Sequence, residues 1–342
     1  MKISKETLKQ ALEIVKPGLA NKEIIEQSTS FAFIDDKVVT YNDEICISHP
    51  VPDIGIKGVI KAEEMYNFLG KVKTEEITVT QEENEIVLKS GRAQVGFSIS
   101  TTVKLPLEEE IKETSEWSKI PTNLLTAISF AIPCVSKDMT NPKISCIHLN
   151  KKGIVEATDS YRIIHWKLKK KLPFNSVLIP AVSLKEVVKL APNMVAKGNG
   201  WLHFKNEAGT QISCRTFDET FVDTSPILKI IEKGIVFVFP DKMTEVLDRA
   251  VIFSKAQLKT SGEESISVSF DKKFLKVEAQ SETAWFKERV AVKGKKEFSF
   301  SITPYLLKDI LKQTQECTIL DNLLKFEGED WIYISSLRLK AE

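Results

Sequence analysis

LKQALEIV, residues 8–15, has a pattern of apolar positions that recurs twice along the chain and indicates the fold. Its spacing of three, one and three residues is typical of a helix with one buried face. The same spacing occurs in LLTAISFA, residues 124–131, and in MTEVLDRA, residues 243–250, which start 116 and then 119 residues further on. A period of this length predicts three copies of one module rather than a solenoid of short repeats.

Each copy also contains a second helical pattern. It occurs in MYNFL at residues 65–69, in LKEVV at 184–188 and in LKDIL at 307–311. Around the helices the apolar residues alternate with polar ones, as in ISVSF at residues 266–270, which predicts antiparallel strands with one buried face. The predicted fold class is therefore α+β, with two helices packed on antiparallel sheet in each of three repeated modules.

Two stretches predict the module boundaries. The first, residues 105–121, carries an acidic run and ends at Pro121, and the second, residues 224–240, ends at Pro240. We expect modules at residues 1–118, 119–233 and 234–342.

The composition limits the kinds of partner. The chain has 48 Lys and Arg against 47 Asp and Glu, a net charge of +1, and 42% of its 342 residues are hydrophobic. A protein that holds nucleic acid by bulk attraction usually has a basic excess. Any role with nucleic acid would therefore need charge that is segregated onto one surface.

The sequence also predicts a soluble cytoplasmic protein with reduced thiols. The N-terminus is polar, no apolar run approaches the roughly 18 residues of a membrane span, and the five cysteines are far apart without a CxxC pair.

We find no pattern that is typical of an enzyme. The four histidines lack the spacing of a zinc site, and the chain has no glycine-rich phosphate loop and no nucleophile elbow. Asp159 and Arg162 could form an acid–base pair, but no nucleophile lies near them in the sequence. We therefore expect no catalytic residue, metal or cofactor.

Basic residues recur on one side of the predicted helices. An ordinary solvated lysine face would look the same on any single helix, but the matched positions in two copies favour a shared function. These candidate residues are Lys5, Lys9, Lys16, Lys185, Lys189, Lys242, Arg249, Lys308 and Lys312.

Four short motifs resemble those of one family. ATDSYRI at 157–163 resembles its ATDGHRL segment, FVDT at 221–224 its YPDT turn, RAVIFS at 249–254 its RAAILS helix end, and SLRL at 336–339 its C-terminal PMRL. Because the motifs occur in order along the whole chain, the sequence resembles the bacterial DNA sliding clamp, the beta subunit of the replicative polymerase.

The sequence departs from this family at several motif positions. Ser160 and Tyr161 replace glycine and histidine, Val222 and Ser336 replace prolines, and residues 340–342 extend past the usual end. These departures predict a divergent member, such as one encoded by a phage or a mobile element.

The resemblance implies a non-catalytic ring that encircles duplex DNA as a homodimer and is associated with the nucleoid. It implies that the basic residues of the helices given above face the DNA. It also implies that a DNA polymerase and a clamp loader bind through short linear peptides, and that Ile252 and Phe253 lie in the dimer interface. The residues carried over to the peptide groove are Thr158, Ser160, Tyr161, Arg162, Ile163, Val222, Pro226, Ile227, Ile334, Ser335, Leu337 and Arg338.

Helix dimensions support two chains per ring. Twelve helices packed about 9 Å apart form a circle whose opening is roughly 25 Å wide, after a helix thickness of about 10 Å is subtracted. Six helices would leave only about 8 Å, which is too narrow for duplex DNA.

Two other classes of function remain open at this point: a DNA-modifying or hydrolytic enzyme, and a protein-interaction scaffold of the same fold that is not loaded on DNA.

Overall fold

The computed structural model describes residues 1–230, 234–254 and 264–338. Leu339, of the C-terminal motif, and the extension 340–342 lie outside the described residues, as do positions 231–233 beside the predicted boundary. The described helices are α1 (Lys5–Val15), α2 (Ala62–Lys71), α3 (Leu107–Glu110), α4 (Leu124–Ala131), α5 (Pro142–Ser145), α6 (Ala181–Leu190), α7 (Ser225–Leu228), α8 (Met243–Val251) and α9 (Pro304–Leu311).

The strands in the described part of the chain form antiparallel ladders wherever their register is defined. They are β1 (Lys2–Ser4), β2 (Ser30–Ile34), β3 (Lys37–Tyr41), β4 (Ile45–Pro50), β5 (Gly58–Lys61), β6 (Glu76–Gln81), β7 (Glu85–Ser90), β8 (Ala93–Ser98), β9 (Ser118–Lys119), β10 (Cys146–Asn150), β11 (Ile154–Thr158), β12 (Arg162–Lys167), β13 (Val177–Pro180), β14 (Met194–Lys197), β15 (Trp201–Lys205), β16 (Gln211–Arg215), β17 (Ile235–Val238), β18 (Ile266–Phe270), β19 (Phe274–Gln280), β20 (Trp285–Ala291), β21 (Phe298–Ile302), β22 (Glu316–Ile319), β23 (Leu323–Glu327) and β24 (Trp331–Ser336).

One order of elements occurs three times. A strand and a helix precede three strands, and a second strand and helix precede three more. The first copy runs from β1 to β8 with α1 and α2, the second from β9 to β16 with α4 and α6, and the third from β17 to β24 with α8 and α9. The predicted threefold α+β plan is confirmed, and the boundaries at 118/119 and 233/234 stay predictions.

The chain divides into two compact units that do not follow these copies. The first unit comprises Met1–Ser129, Leu149–Lys152 and Lys170–Glu219, and the second comprises Phe130–His148, Gly153–Lys169 and Thr220–Glu342.

The first unit contains a four-stranded sheet, β1-β6-β7-β8, and an eight-stranded sheet, β5-β2-β3-β4-β16-β15-β14-β9. Helix α1 buries its repeated apolar face, Leu8, Leu12 and Val15, completely, and it packs on α2, β3 and β4. Its start is fixed by Ser4, whose hydroxyl accepts a hydrogen bond from the Thr7 amide at 3.2 Å. The apolar spacing therefore has its expected cause, which is burial against sheet.

The second unit contains the four-stranded sheet β20-β19-β18-β21 and a larger sheet that includes the run β10-β11-β12-β24-β23-β22-β17. Helices α8 and α9 pack on each other, and α8 also packs on β19 and β20. The repeated apolar residues Met243, Val246, Leu247 and Ala250 of α8 are buried. The residues of the predicted groove all lie in this unit.

Candidate functional site

The predicted groove residues divide into an exposed and a buried group. The side chains of Ser160, Val222, Pro226 and Ile227 are exposed, and so is Tyr161, at 53% of its surface. Arg338 is half-buried. The buried members are Thr158, Arg162, Ile163, Ile334, Ser335 and Leu337. The exposed group and Arg338 offer a partner the most surface without a change in the fold.

The buried floor of the site comes from two paired strands. In the β12–β24 ladder Ile163 lies opposite Ile334, and Arg162 lies opposite Ser335. Directly opposite residues share one face of a sheet, so Ile163 and Ile334 form an apolar pair there. Just beyond the strand, Leu337 donates its amide to the Asn322 carbonyl at 2.8 Å.

The turn between β11 and β12 is held by its own side chains. The Asp159 carboxylate accepts the amides of Tyr161 and Arg162, both at 3.0 Å, and the Ser160 amide donates to the Thr158 hydroxyl at 3.1 Å. Ser160 has φ +74°, a left-handed conformation that favours glycine. The glycine of the family motif is thus replaced by serine without loss of the glycine-like backbone.

The Arg162 side chain is directed into the fold and is only 5% exposed. Its guanidinium donates to Asp159 and Asp309, each at 2.9 Å, and also to the Pro133 carbonyl. The Tyr305 ring lies 5.0 Å from the guanidinium carbon. Arg162 therefore supports the site from beneath, and its predicted contact with a partner stays a prediction.

The segment Phe221–Leu228, which we call the wall segment, carries the exposed Val222, Pro226 and Ile227. It is linked to β11 by the Thr224 hydroxyl, which donates to Oε1 of Glu156 at 3.1 Å. The Phe221 ring stacks on His148, with centroids 4.9 Å apart.

Glu156 has three hydrogen-bond partners, and we call this group of four residues the Glu156 hub. Besides Thr224, the carboxylate bonds with Nδ1 of His148 and with Nδ1 of His165, both at 3.0 Å. Burial by itself would raise the pKa of Glu156, but the hydrogen bonds from the two histidines hold it at about 2. The carboxylate is therefore ionised at neutral pH.

Glu156 and both histidines of the hub were not predicted from the sequence. A signal was present, because Glu156 interrupts the apolar run of Ile154, Val155 and Ala157. Such a run is typical of a strand that is buried on both faces, where a carboxylate requires partners. The sequence alone does not show which side chains supply them.

The predicted DNA-facing residues lie at the helices, and several are in ion pairs. In the first unit Lys9 pairs with Glu13 at 3.3 Å, Lys189 pairs with Glu186 at 2.7 Å, and the Lys16 ammonium lies over the Tyr66 ring. In the second unit Lys308 pairs with Asp248 and Lys312 with Asp309. The remaining members are Lys5, Lys185, Lys242 and Arg249, of which Arg249 pairs with Glu288. Exposed pairs of this kind contribute only about 0–1 kcal/mol, so the lysines can exchange partners.

The predicted dimer-interface residues lie beside strand β20. Ile252 is 66% exposed, and Phe253 stacks on Phe286 of β20 with centroids 5.8 Å apart. Trp285, at the start of the same strand, is 73% exposed. Ile252 and Phe253 therefore lie next to a strand edge that no other described strand pairs with. Trp285 belongs to the opposite face of β20 from Phe286, because successive residues of a strand point to opposite faces.

Residues 1–230, 234–254 and 264–338 contain neither a metal-binding cluster nor a membrane-spanning helix. Within these ranges no cluster of three or more His, Cys, Asp or Glu side chains could hold a metal ion. The helices in the same ranges all fall short of the length and hydropathy of a membrane span.

The sequence matches no model of a known protein family and no curated protein. Solved structures, in contrast, match over nearly the whole length of both chains. The beta chain of DNA polymerase III from Streptococcus pneumoniae has a TM-score of 0.82 and 19% identity, with 99% of each chain covered.

Two further structures give the same result. The DNA polymerase III subunit beta from Pseudomonas aeruginosa has a TM-score of 0.80 at 16% identity, and the DNA polymerase sliding clamp from Bacillus subtilis 0.79 at 18% identity. Each comparison covers 99% of both chains. The chain therefore has the fold of the bacterial sliding clamps, although its sequence identity to each of these three structures is below 20%.

Proposed function

We propose that this chain is a DNA sliding clamp, a homodimeric ring that encircles duplex DNA and tethers a polymerase during processive synthesis. The proposal is supported by the full-length fold match and by the motifs of the groove. A clamp acts by topology, so it needs no catalytic residue and no cofactor of its own. Its place would be in the cytoplasm, on the nucleoid.

The observation that carries the proposal is a missing strand pairing. In the first unit β4 pairs with β16, and in the second β12 pairs with β24. In each case the third strand after one helix pairs with the last strand of the following copy. By the same rule β20 of the third copy requires the last strand of a first copy, which is β8.

In the residues that the structure describes, β8 and β20 are each the end strand of a separate four-stranded sheet. An unpaired edge is a template for another chain. A second copy of this chain supplies both partners, since the β8 edge of each protomer meets the β20 edge of the other. Two such contacts close a head-to-tail dimer, and Ile252, exposed beside β20, is covered in the process.

The ring would hold DNA without reading its sequence. Lysines on the helices contact phosphates, which provides attraction that is independent of base sequence. Because the net charge is only +1, retention would depend on ring closure rather than on bulk attraction.

Polymerase and clamp loader would bind as short linear peptides at the site in the second unit. Tyr161, Val222, Pro226 and Ile227 provide exposed contacts, and Ile163 and Ile334 lie in the apolar floor. Partner peptides that insert apolar side chains would have a few dominant anchors.

Retention on circular DNA separates a clamp from a scaffold of the same fold that is never loaded. The protein is loaded on a nicked circle with a clamp loader and passed over a gel-filtration column in raised salt, before and after linearisation. A clamp stays on circles and slides off linear molecules. Equal retention on both forms would contradict the proposal and favour the scaffold.

A further inference from the structure

We propose that the Glu156 hub positions the wall segment and thereby sets how tightly the groove holds a partner. Glu156, His148 and His165 are the positioning residues, and Thr224 is the residue that they hold. The inference rests on the proposed function only for the identity of the partner.

The hub lies next to the floor of the groove. Glu156 lies opposite His165 in the β11–β12 ladder, two residues along the strand from Thr158. Across the next ladder His165 lies opposite Ile332, and Ile163 lies opposite Ile334. Since residues two apart on a strand share a face, the hub forms a polar row directly beside the apolar floor.

Thr224 links the hub to the exposed residues Pro226 and Ile227. Its side chain is buried and bound to Glu156, and its carbonyl accepts the amides of Ile227 and Leu228, both at 3.1 Å. These two bonds form the turn of α7, which carries Pro226 and Ile227. The hydrogen bond of the Thr224 hydroxyl to Glu156 therefore fixes the position of the exposed Pro226 and Ile227.

The chemistry of the hub suits a positioning role. An ionised carboxylate forms stronger hydrogen bonds than a neutral acceptor does, and Glu156 is only 8% exposed, so water competes little. The stacking of Phe221 on His148 gives a second attachment at the other end of the wall segment. With both attachments in place, a partner meets a preformed wall and loses less free energy in ordering it.

Hydrogen exchange of the free full-length protein tests the positioning. We expect Thr224→Val and Glu156→Gln to speed exchange of the amides in residues 225–228 roughly tenfold, which corresponds to the loss of one hydrogen bond to a charged group. Thr224→Ser keeps the hydroxyl and should exchange like the unmodified chain. Thr210→Val is the matched control, because it removes a buried threonine hydroxyl that bonds to His49 in the first unit.

Stimulation of the polymerase from the same organism tests the effect on the partner. We expect Thr224→Val and Glu156→Gln to raise the clamp concentration for half-maximal synthesis about tenfold, with the maximal rate unchanged and with Thr224→Ser at the normal concentration. Unchanged exchange in both variants would overturn the positioning role. Faster exchange with an unchanged half-maximal concentration would overturn the link to affinity. If the unmodified chain fails to stimulate, the proposed function fails, while the exchange result still decides the role of the hub.

Discussion

The Nη1 atom of Arg162 donates a 2.9 Å hydrogen bond to Oδ2 of Asp309 and so joins the β11–β12 hairpin to helix α9. The two residues are 147 positions apart in the chain. Asp159 binds the same guanidinium from the hairpin side at 2.9 Å. A buried cation between two carboxylates is stable only while its hydrogen-bond geometry is kept.

We predict that Arg162→Lys lowers the free energy of unfolding by about 2–4 kcal/mol, because an ammonium cannot replace the planar fork that serves both carboxylates. Urea denaturation measures this change. Arg249→Lys is the control, since Arg249 makes a similar two-point contact with Glu288 on the surface, where pairs contribute at most about 1 kcal/mol. An equal loss of unfolding free energy in both variants would show that the buried ion pairs of Arg162 contribute no more to stability than the exposed pair of Arg249.

Ser160→Gly should raise the free energy of unfolding by about 1 kcal/mol, because glycine adopts a φ of +74° without the strain of a Cβ atom. Thermal and urea unfolding both report the change. Ser160→Ala keeps the Cβ atom and should give no gain. A gain with alanine would mean that the serine hydroxyl, not the backbone, limits stability.

The pKa of Glu156 predicts a loss of stability in acid. A folded-state pKa of about 2, below the usual 4.5, contributes stability that is complete above pH 4.5 and is lost as the pH falls through 2. The full contribution is about 3 kcal/mol. The difference in unfolding free energy between the unmodified chain and Glu156→Gln should therefore shrink between pH 5 and pH 2, with Glu82→Gln, at an exposed turn, as the control. A constant difference would contradict the depressed pKa.

The helices and most strands were predictable because their causes are local. A spacing such as that of Leu8, Leu12 and Val15 reports burial of one helix face, and its return at the same interval reports a repeat. The left-handed turn at Ser160 was also predictable from the resemblance, because the family has glycine at that position.

The chemistry within the site was less predictable because its contacts join distant residues. Nothing near Arg162 in the sequence indicates Asp309, and the prediction that the arginine lies in the groove came from the resemblance alone. The hub likewise depends on the register of neighbouring strands, which brings Glu156 between His148 and His165. A sequence pattern shows that Glu156 needs partners, but the fold selects them.

The dimer contact is tested by Ile252→Asp. Burying a carboxylate in an apolar interface is costly, so the variant should sediment as a monomer of 38.6 kDa while the unmodified chain has twice this mass. Ile24→Asp is the control, since Ile24 is an exposed isoleucine of the first unit that belongs to neither β8 nor β20. A monomeric unmodified chain at micromolar concentration would contradict the ring.

Removal of helix lysines distinguishes DNA contact by the helices from attraction by positive charge in general. Alanine at Lys185, Lys189, Lys308 and Lys312 should weaken binding to linear DNA and lower the slope of log affinity against log salt. The slope should fall by up to about 0.9 for each phosphate that the variant no longer neutralises. Retention of the loaded ring on circular DNA should change far less, because closure rather than attraction holds it there.

The matched control removes the same number of positive charges from two exposed loops, as alanine replaces Lys151, Lys152, Lys170 and Lys171. Filter binding on linear duplex over a range of salt concentrations measures both variants. We expect the loop variant to keep the salt slope of the unmodified chain, since its lysines lie outside the helices. If affinity and salt slope fall equally in both variants, the helices make no preferential contact with DNA, and the prediction that their lysines face the DNA is wrong.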